Sequence, residues 1–349
     1  MREFHEQAFY NKRTREEMKD GFVKEYIRDF WDWYTDNLKT APRLPGERWM
    51  TGYSELGARK MRNAARRGIG AYYRARGRFP DFLAPRDYTQ MTLLNSIIAP
   101  MPRVIPADKL NVGEFIPEPL RDQVRPAKVH RVFDSAEALS DDGLEPGSYY
   151  LKSNHGSSHV LPITAPFAPE ALKAAREAAD GWLSKPFGTH SSQWWYRLID
   201  RKIYLEEDLR ETPDQPIPDF RFHVINGRVA LLQLDLGLGT DNRNNPVFDG
   251  DLNYLPHNFL RDNLGEVDLP AQAGFARDAA REIGAQFPYV RVDFYLRGDD
   301  LFLGELTFLP NSGRRRIRSN ELNEMLCSYW NPMPQVVAIE AVAEQQAAE

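Results

Sequence analysis

Two acidic residues on neighbouring strands are the strongest sign of chemistry in this 349-residue sequence. Asp293 lies in the apolar run YVRVDFYL and Glu305 in the run LFLGELTF, and a turn at residues 298–300 joins the two runs. A hairpin of this kind brings both carboxylates to one side, where they repel each other unless a cation lies between them. Hard oxygen ligands suit Mg²⁺ that carries substrate phosphates. The pattern indicates a metal site, although isolated acid pairs are usually surface charges.

A lysine followed by a loop of small residues is the second pattern. Lys152 lies near the end of the run YYLKS, and the loop SNHGSS follows it. A lysine held on a strand and the backbone N–H groups of such a loop can cradle a phosphate. The loop is not a Walker loop, and taken alone it is more typical of a plain turn.

The run KIYLEEDL ends in Glu206 and Glu207 and forms a third pattern. Acidic side chains at such a strand end can bind amino or ribose hydroxyl groups, while the backbone pairs with an adenine edge. By itself the run is typical of an exposed strand end. The loop imidazoles of His155 and His159 are also open to two interpretations, as phosphate or base contacts or as ordinary polar loop residues.

Composition narrows the class of protein. A hydrophobic fraction of 42% predicts a globular core, and a net charge of -5 argues against a general nucleic-acid binder. The charged amino terminus and the lack of a long apolar window predict a cytoplasmic protein without a transmembrane segment. Cys327 is the only cysteine, which excludes an intrachain disulfide and a thiolate zinc cluster.

The stretch between Glu55 and Asp81 carries only positive charges. One interpretation is a solvated helix face, with Tyr72 and Tyr73 packed inward. The other is peripheral contact with an anionic partner, such as an acidic glycan or a membrane surface. The basic residues are Arg59, Lys60, Arg62, Arg66, Arg67, Arg74, Arg76 and Arg78.

The distribution of helical and strand patterns predicts an α+β protein with four parts. Residues 1–105 form a helical section, with helices over about residues 12–40 and through the basic stretch, and a connector with a short helix at 85–106. Residues 106–200 and 201–335 form two lobes rich in short strands, with helices at 169–183 and 269–287. Residues 336–349 form a tail whose polar end, from residue 338, is helical or frayed.

Five motifs in this order resemble the TupA-like ATP-grasp family, named for teichuronopeptide biosynthesis. They are ADKLNVGEF, YLKSNHGSSHV, IYLEEDL, DFRFHVINGRVALLQLD and the pair RVDFYL and LGELTFLPNSG. The resemblance covers roughly residues 106–313 and implies two α+β lobes that clamp ATP, preceded here by the helical section. It implies ATP and Mg²⁺ as cofactors.

The resemblance also assigns roles to residues. Lys109 and Lys152 would hold the ATP phosphates, and the loop Asn154, His155, Gly156, Ser157 and Ser158 would cover them. Glu206, Glu207 and the backbone to Leu209 would line the adenine and ribose pocket. Asp293 and Glu305 would bind Mg²⁺, with Thr307 or Asn311 completing the shell in place of the more usual Asn two positions after Glu305. Arg221 and Arg291 match positions that often face the phosphate or acyl-phosphate; the alternative for both is cross-strand pairing with an acid.

The implied reaction is carboxylate–amine ligation through an acyl-phosphate, with ADP and phosphate as products. A small-molecule or glycan-linked carboxylate and an amine would be the substrates, and an amino acid or amine would be added to a polysaccharide or its precursor. An amide or peptide ligase of a natural-product pathway is the alternative enzyme. A catalytically silent ATP-binding protein is the alternative outside enzymes.

A run of arginines follows the proposed metal strand. Arg314, Arg315, Arg316 and Arg318 lie in the sequence GRRRIRSNE. Arginine presents a fork that matches carboxylates and phosphates, so the run predicts a grip on an acidic substrate. The alternative is a solvated basic turn that pairs with Glu321 or Glu324.

Overall fold

The computed structural model describes residues 21–188, 191–212, 216–238, 240–241 and 243–340. The helices are α1 (Gly21–Thr40), α2 (Gly52–Arg76), α3 (Tyr88–Ile98), α4 (Pro169–Ser184), α5 (Ala273–Gly284) and α6 (Asn320–Ser328). The strands are β1 (Arg43–Leu44), β2 (Trp49–Met50), β3 (Met101–Pro102), β4 (Val124–Arg125), β5 (Val129–Phe133), β6 (Gly147–Ser153), β7 (Val160–Ala165), β8 (Ile203–Glu207), β9 (Asp219–Ile225), β10 (Arg228–Asp235), β11 (Val247–Asp249), β12 (Tyr254–Leu255), β13 (Tyr289–Arg297), β14 (Asp300–Thr307) and β15 (Ala338–Ile339). Among these described segments, no helix is both long and apolar enough to cross a membrane.

The larger sheet has the order β12-β11-β10-β9-β13-β14-β4. Adjacent strands of this sheet are antiparallel, except for β14 and β4, which pair in parallel. The central strands alternate apolar side chains such as Phe222 and Val224 with polar ones, which predicts one face packed against a helix and one polar face. Helix α5 covers the apolar face, where Ala276 and Ile283 share a core with Val224 and Val290.

The smaller sheet has the order β5-β8-β6-β7 and is antiparallel throughout. Helix α4 packs on it, and Ala175 and Ala179 share a separate core with Leu151, Ile163 and Leu205. Sheet membership does not follow chain order, because β4 belongs to the larger sheet and β8 to the smaller one. The boundaries at residues 105, 200 and 335 stay a prediction.

The amino-terminal helices form an aromatic core. Tyr26, Phe30 and Tyr34 lie on one stripe of α1 and are buried. Helix α2 begins with a capping box between Thr51 and Ser54 and ends at Gly77, whose φ of 71° suits a left-handed cap. The end at residue 77 agrees with the prediction, whereas residues 12–20 of the predicted first helix lie outside the described residues.

The predicted connector at residues 85–106 is more than a connector. Every residue of α3 is buried, so this segment is part of the core. Its polar side chains can be buried because they are hydrogen bonded: the Ser96 hydroxyl donates to the Leu93 carbonyl at 2.7 Å and contacts the Ser192 hydroxyl at 2.8 Å. The sequence did not predict this burial, because the threonine and serine residues of α3 are polar.

The start of the predicted tail is a strand. Ala338 and Ile339 pair in parallel with Arg43 and Leu44, and the Ala338 N–H donates to the Pro42 carbonyl at 2.9 Å. The prediction of a helical or frayed polar end was therefore wrong for these two residues, because backbone pairing with β1 fixes them. Residues 341–349 lie outside the described residues.

Candidate active site

The two predicted metal carboxylates face each other across a hairpin. Strands β13 and β14 pair with Asp293 directly opposite Glu305, so both side chains project from the same face of the sheet. Asp293 is buried, and Glu305 is partly exposed. Thr307, two residues further along β14, donates its hydroxyl to Glu305 Oε1 at 3.1 Å.

Arg291 neutralises Asp293 within the same strand. Its Nε lies 2.7 Å from Asp293 Oδ1, a second guanidinium nitrogen contacts Oδ2, and that nitrogen also donates to the Thr307 hydroxyl at 3.2 Å. Burial raises the pKa of Asp293 to about 7, and the Arg291 charge opposes this effect. The carboxylate is therefore held where its negative charge is costly and where a cation would stabilise it.

Lys109 connects the carboxylates to the small-residue loop. Its Nζ donates to the Gly156 carbonyl at 2.7 Å and lies 3.8 Å from Glu305 Oε2. The Lys109 N–H also donates to the Asn154 carbonyl at 3.0 Å. Burial raises the pKa of Glu305, but the charges of Lys109 and Arg291 outweigh it and hold that pKa below its usual value. Three distant segments of the chain thus meet at one ammonium group.

Asn154 and His155 anchor the loop rather than line it. The Asn154 side chain donates to the Asp200 carbonyl at 2.9 Å and accepts from the Lys202 N–H at 2.9 Å. His155 is buried, with its Nε2 3.0 Å from the Trp182 carbonyl oxygen. Both polar groups are already satisfied by the protein, so neither is free to contact a phosphate.

The tip of the loop contains the residues that remain accessible to a ligand. Ser157 and Ser158 are exposed, and Ser158 has a φ of 63°. A Cβ at Gly156 would lie 2.0 Å from His159 Nδ1, so only glycine fits there without displacing the imidazole. His159 stacks on Trp182 with ring centroids 5.3 Å apart.

The two loop histidines are poor phosphate ligands. Burial lowers the pKa of His155 to about 4, and burial followed by the Lys109 charge also lowers the pKa of His159. Imidazoles with lowered pKa values are neutral at physiological pH and offer little charge to a phosphate. Of the two interpretations open from the sequence, the structure favours ordinary roles in shaping the loop.

Lys152 is paired with Glu206. The Lys152 ammonium contacts Glu206 Oε2 between the adjacent strands β6 and β8. Glu207 instead binds the connection between β4 and β5, accepting from the Lys128 N–H at 2.7 Å and from Arg125 at 3.2 Å. Leu209 is buried in a small cluster with Ala127 and Phe302. The structure therefore places Glu206, and not Glu207, beside the second lysine.

Arg221 lies on β9, between β13 and β10. It is directly opposite Asp293 in register, and it pairs with Asp219 Oδ2 at 2.7 Å and Asp235 Oδ2 at 2.6 Å. The cross-strand pairing that the sequence offered as an alternative is thus present. Arg243 holds the same Asp235, with its Nε 2.7 Å from Oδ1.

Asp219, Asp235 and Arg243 were not predicted as site residues. A signal for the two acids was present, because the apolar strands of the larger sheet carry polar residues at every second position. Alternate residues of a strand share a face, so these positions form one polar surface. They are Asp219, Arg221 and His223 on β9, Gln233 and Asp235 on β10, Arg291 and Asp293 on β13, and Glu305 and Thr307 on β14.

The remaining predicted ligands lie further along the chain. Asn311 is exposed and has a φ of 50°, whereas Thr307 is buried beside Glu305. Thr307 is therefore the better placed of the two oxygen donors considered from the sequence. Within the described residues, no group of three or more His, Cys, Asp or Glu side chains is arranged to hold a metal.

The arginines that follow β14 contact different parts of the protein. Arg315 Nη1 donates to the Leu260 carbonyl at 3.1 Å, while the Arg315 carbonyl accepts from Arg76 at 3.1 Å. Burial lowers the pKa of Arg76, and the Arg316 charge adds to this effect. Glu321 lies 3.3 Å from His257, and in the described chain neither Glu321 nor Glu324 pairs with the run. Arg314, Arg315, Arg316 and Arg318 are exposed.

Lys109 thus brings the small-residue loop beside the paired carboxylates of the larger sheet. The model of the TupA-like ATPgrasp family matches residues 90–331. This chain belongs to the TupA-like ATP-grasp family, which confirms the resemblance and the predicted ATP-grasp fold.

Several solved structures have a weak similarity to this chain. The ATP-grasp ligase PsnB complexed with a phosphomimetic variant of its minimal precursor, Mg and ADP is 13% identical, with a TM-score of 0.34 and coverage of 64% of this chain and 59% of that chain. D-alanine–D-alanine ligase from Bacillus anthracis complexed with ATP is 13% identical, with a TM-score of 0.35 and coverage of 62% and 56%.

D-alanyl-alanine synthetase A from Vibrio cholerae is also 13% identical, with a TM-score of 0.39 and coverage of 70% and 67%. This chain spans less than two thirds of the length of PsnB and of the Bacillus anthracis ligase. TM-scores this low support no comparison beyond the similarity itself. No curated protein matches this chain.

Proposed function

We propose that this protein is an ATP-dependent ligase that activates a carboxylate as an acyl-phosphate for attack by an amine. The observation that carries the proposal is the position of Lys109, whose Nζ lies 2.7 Å from the Gly156 carbonyl oxygen and 3.8 Å from Glu305 Oε2. One cation thereby joins a loop suited to phosphate with the carboxylate pair suited to a metal. Membership of an ATP-grasp family supports ATP as the phosphate donor.

The residues of the hairpin fit a magnesium ion. Mg²⁺ commonly binds one or two protein carboxylates together with substrate phosphates, so Asp293 and Glu305 suffice without a larger acidic cluster. Thr307 stands beside Glu305 as a further oxygen donor. When bound, Mg²⁺ would offset the charge of the transferred phosphoryl group. Asp293 would then be shared between the metal and Arg291.

The cationic side chains have distinct parts in this proposal. Lys109 and Lys152 neutralise triphosphate oxygens, and the exposed backbone at Ser157 and Ser158 covers them. Arg221 and Arg291 lie on neighbouring strands beside Asp293, where their guanidiniums can stabilise the acyl-phosphate oxygens. The phosphoryl group moves directly from ATP to the substrate carboxylate, and the amine then displaces phosphate. No protein nucleophile is required.

We also propose that the substrate carries an additional acidic group, bound by arginines from three segments. Arg315 donates to the carbonyl of Leu260, the residue before Arg261. The loop at residues 260–265 also contacts the segment of Arg243, because the Asn245 N–H donates to the Asp262 carbonyl at 3.1 Å. Arg243 reaches the same Asp235 as Arg221. Burial, and then the Arg243 and Arg315 charges, lower the pKa of Arg261. In the described chain neither Arg261 nor Arg315 pairs with a carboxylate, which leaves both charges for a ligand.

The family name supports a polysaccharide or its precursor as the molecule that is modified, because it refers to teichuronopeptide biosynthesis. A uronic acid or an acidic amino acid would fit both the reacting carboxylate and the arginine cluster. The proposal can be tested by screening such acids for ADP release, with hydroxylamine as a surrogate amine that traps an acyl-phosphate as a hydroxamate. ADP and hydroxamate should appear together and only with a suitable acid. ATP binding without acid-dependent ADP release would favour the silent ATP-binding protein.

The arginine cluster has a separate test with a matched control. The variant Arg261→Gln/Arg315→Gln should raise the apparent KM for the acid about tenfold or more, because it removes charged hydrogen bonds, and should change the KM for ATP little. Added salt should narrow the difference from wild type. The control Arg314→Gln/Arg318→Gln also removes two positive charges, from exposed positions on either side of Arg315, and should have a small effect. Equal changes in both KM values, or equal effects of the two variants, would contradict this substrate assignment.

A further inference from the structure

A cavity that is distinct from the active site lies between α1 and α2. Its volume is about 500 Å³, and it lies outside the residues that match the ATP-grasp family. Its lining combines apolar side chains of α1 with cations of both helices. The lining residues are Val23, Lys24, Ile27, Trp31, Ala58, Arg59, Arg62, Asn63 and Arg66.

The arginines around this cavity have no acidic partner among the described residues. Helix α2 contains seven Lys or Arg residues and a single acid, Glu55, which pairs with Arg103 at 3.2 Å. In the described part of the chain, no ion pair involves Arg59, Arg62 or Arg66. Three of the four acids of α1 pair with cations of the same helix: Glu25 and Asp29 with Arg28, and Asp36 with Lys39. The fourth, Asp32, is exposed and forms no ion pair with α2 in the described chain. The cavity therefore has a positive rim on a protein of net charge -5.

The positive charge extends well beyond the cavity. Exposed cations follow α2 from Arg59 to Arg74, a distance of about 22 Å at the helical rise per residue. The kink of α2, at Gly57, precedes this stretch, so the charges lie on one continuous helical segment. This stripe is longer than a single phosphate or carboxylate group, and its length fits an extended anionic surface. The apolar floor formed by Ile27 and Trp31 favours a ligand with an apolar part next to its negative charge.

We propose that the α1–α2 cavity and the α2 stripe bind the anionic phospholipid surface of a membrane, with one headgroup seated in the cavity. Arg59, Arg62 and Arg66 contact lipid phosphates, and Val23 at the cavity edge contacts the apolar part of the lipid. Each cation near an anionic bilayer contributes about 1 kcal/mol, so several together give measurable binding. Such binding would hold the active site beside a membrane.

Vesicle sedimentation with the full-length protein tests the proposal. The protein should bind vesicles of phosphatidylcholine mixed with phosphatidylglycerol and should not bind vesicles of phosphatidylcholine alone. Added salt should dissociate the protein from the mixed vesicles, because it screens the attraction between charges. Arg62→Gln/Arg66→Gln should lower partitioning about thirtyfold, which is the effect of two such cations. Lys173→Gln/Lys185→Gln removes the same charge from exposed positions of α4 and its cap and should leave binding nearly unchanged.

Three results would overturn the proposal. One is an equal loss of binding in the two double variants, which would indicate a response to net charge alone. Another is equal binding to vesicles with and without phosphatidylglycerol. The third is failure of the wild-type protein to bind either vesicle while it still binds soluble dextran sulfate, which would assign the stripe to an acidic polymer. Far-ultraviolet circular dichroism and unchanged ADP release would establish that the variants remain folded.

Discussion

At the scale of single residues, the pairing of Lys152 with Glu206 makes a prediction about nucleotide binding. Lys152→Ala should weaken ATP binding by about 1.5–3 kcal/mol, because it removes a charged hydrogen bond and leaves a partly buried carboxylate facing the triphosphate. Titration calorimetry with ATP and Mg²⁺ measures the change. Unchanged affinity would exclude Lys152 from the site.

The double variant Lys152→Ala/Glu206→Gln separates two roles of Glu206. If Glu206 itself contacts the nucleotide, as its assigned place near adenine and ribose implies, the double variant should bind ATP more weakly than Lys152→Ala alone. If Glu206 only balances the lysine, removing its charge should restore part of the affinity. Partial restoration would contradict the nucleotide-binding role of Glu206.

His223 makes a prediction about pH. Its imidazole is fully buried, and its Nδ1 lies 2.9 Å from the Tyr88 hydroxyl oxygen and 3.1 Å from that of Tyr289. Burial, followed by the charges of Arg291 and Arg221, lowers the pKa of His223 well below its usual value. The unfolded chain therefore binds a proton below about pH 6.5 that the folded chain does not, so acid lowers the stability.

Urea unfolding at several pH values measures this effect. Between about pH 7.5 and 5, the wild-type protein should lose about 2 kcal/mol more of its free energy of unfolding than His223→Gln does. His257→Gln, which changes a partly exposed histidine, should keep the acid sensitivity of the wild type. An identical pH dependence in the wild type and His223→Gln would show that His223 does not carry the effect.

At the scale of elements, close packing of α5 on the larger sheet holds the strands that carry the site. A Cβ at Gly284 would lie 2.6 Å from Val224 Cβ, whereas nothing lies within 4 Å of a Cβ at Gly274 in the same helix. Gly284→Ala should lower the free energy of unfolding by about 1–3 kcal/mol, because overpacking outweighs the gain in helix propensity. Gly274→Ala should be neutral or slightly stabilising. Equal effects of the two substitutions on chemical denaturation would contradict this account of the packing.

The strands and helices were largely predictable because period-two and helical patterns act locally. The hairpin that opposes Asp293 and Glu305 followed from two apolar runs and a glycine turn. The burial of α3 was not predictable, since its threonine and serine side chains are satisfied by hydrogen bonds that the sequence does not show. The pairing of Ala338 with Arg43 was missed because it joins segments almost a chain length apart.

At the scale of the whole molecule, the site depends on contacts between distant segments. Local patterns indicated Lys152 and the two carboxylates, whereas Lys109 was assigned only through the family resemblance. Its contacts with Gly156 and Glu305 cross 47 and 196 residues, which no periodicity can reveal. The choice of Glu206 over Glu207, and of Thr307 over Asn311, likewise required the packing of one strand against another.

The central claim is that the substrate carboxylate itself receives the phosphoryl group of ATP. An acid found by the screen can be prepared with heavy oxygen in its carboxylate and incubated with ATP, Mg²⁺ and an amine. Mass spectrometry of the released phosphate should show one heavy oxygen atom per product formed, because the amine displaces a phosphate that retains a carboxylate oxygen. Asp293→Asn should abolish this transfer by removing the charge that holds the metal. Product formation with no heavy oxygen in the phosphate would contradict the acyl-phosphate mechanism.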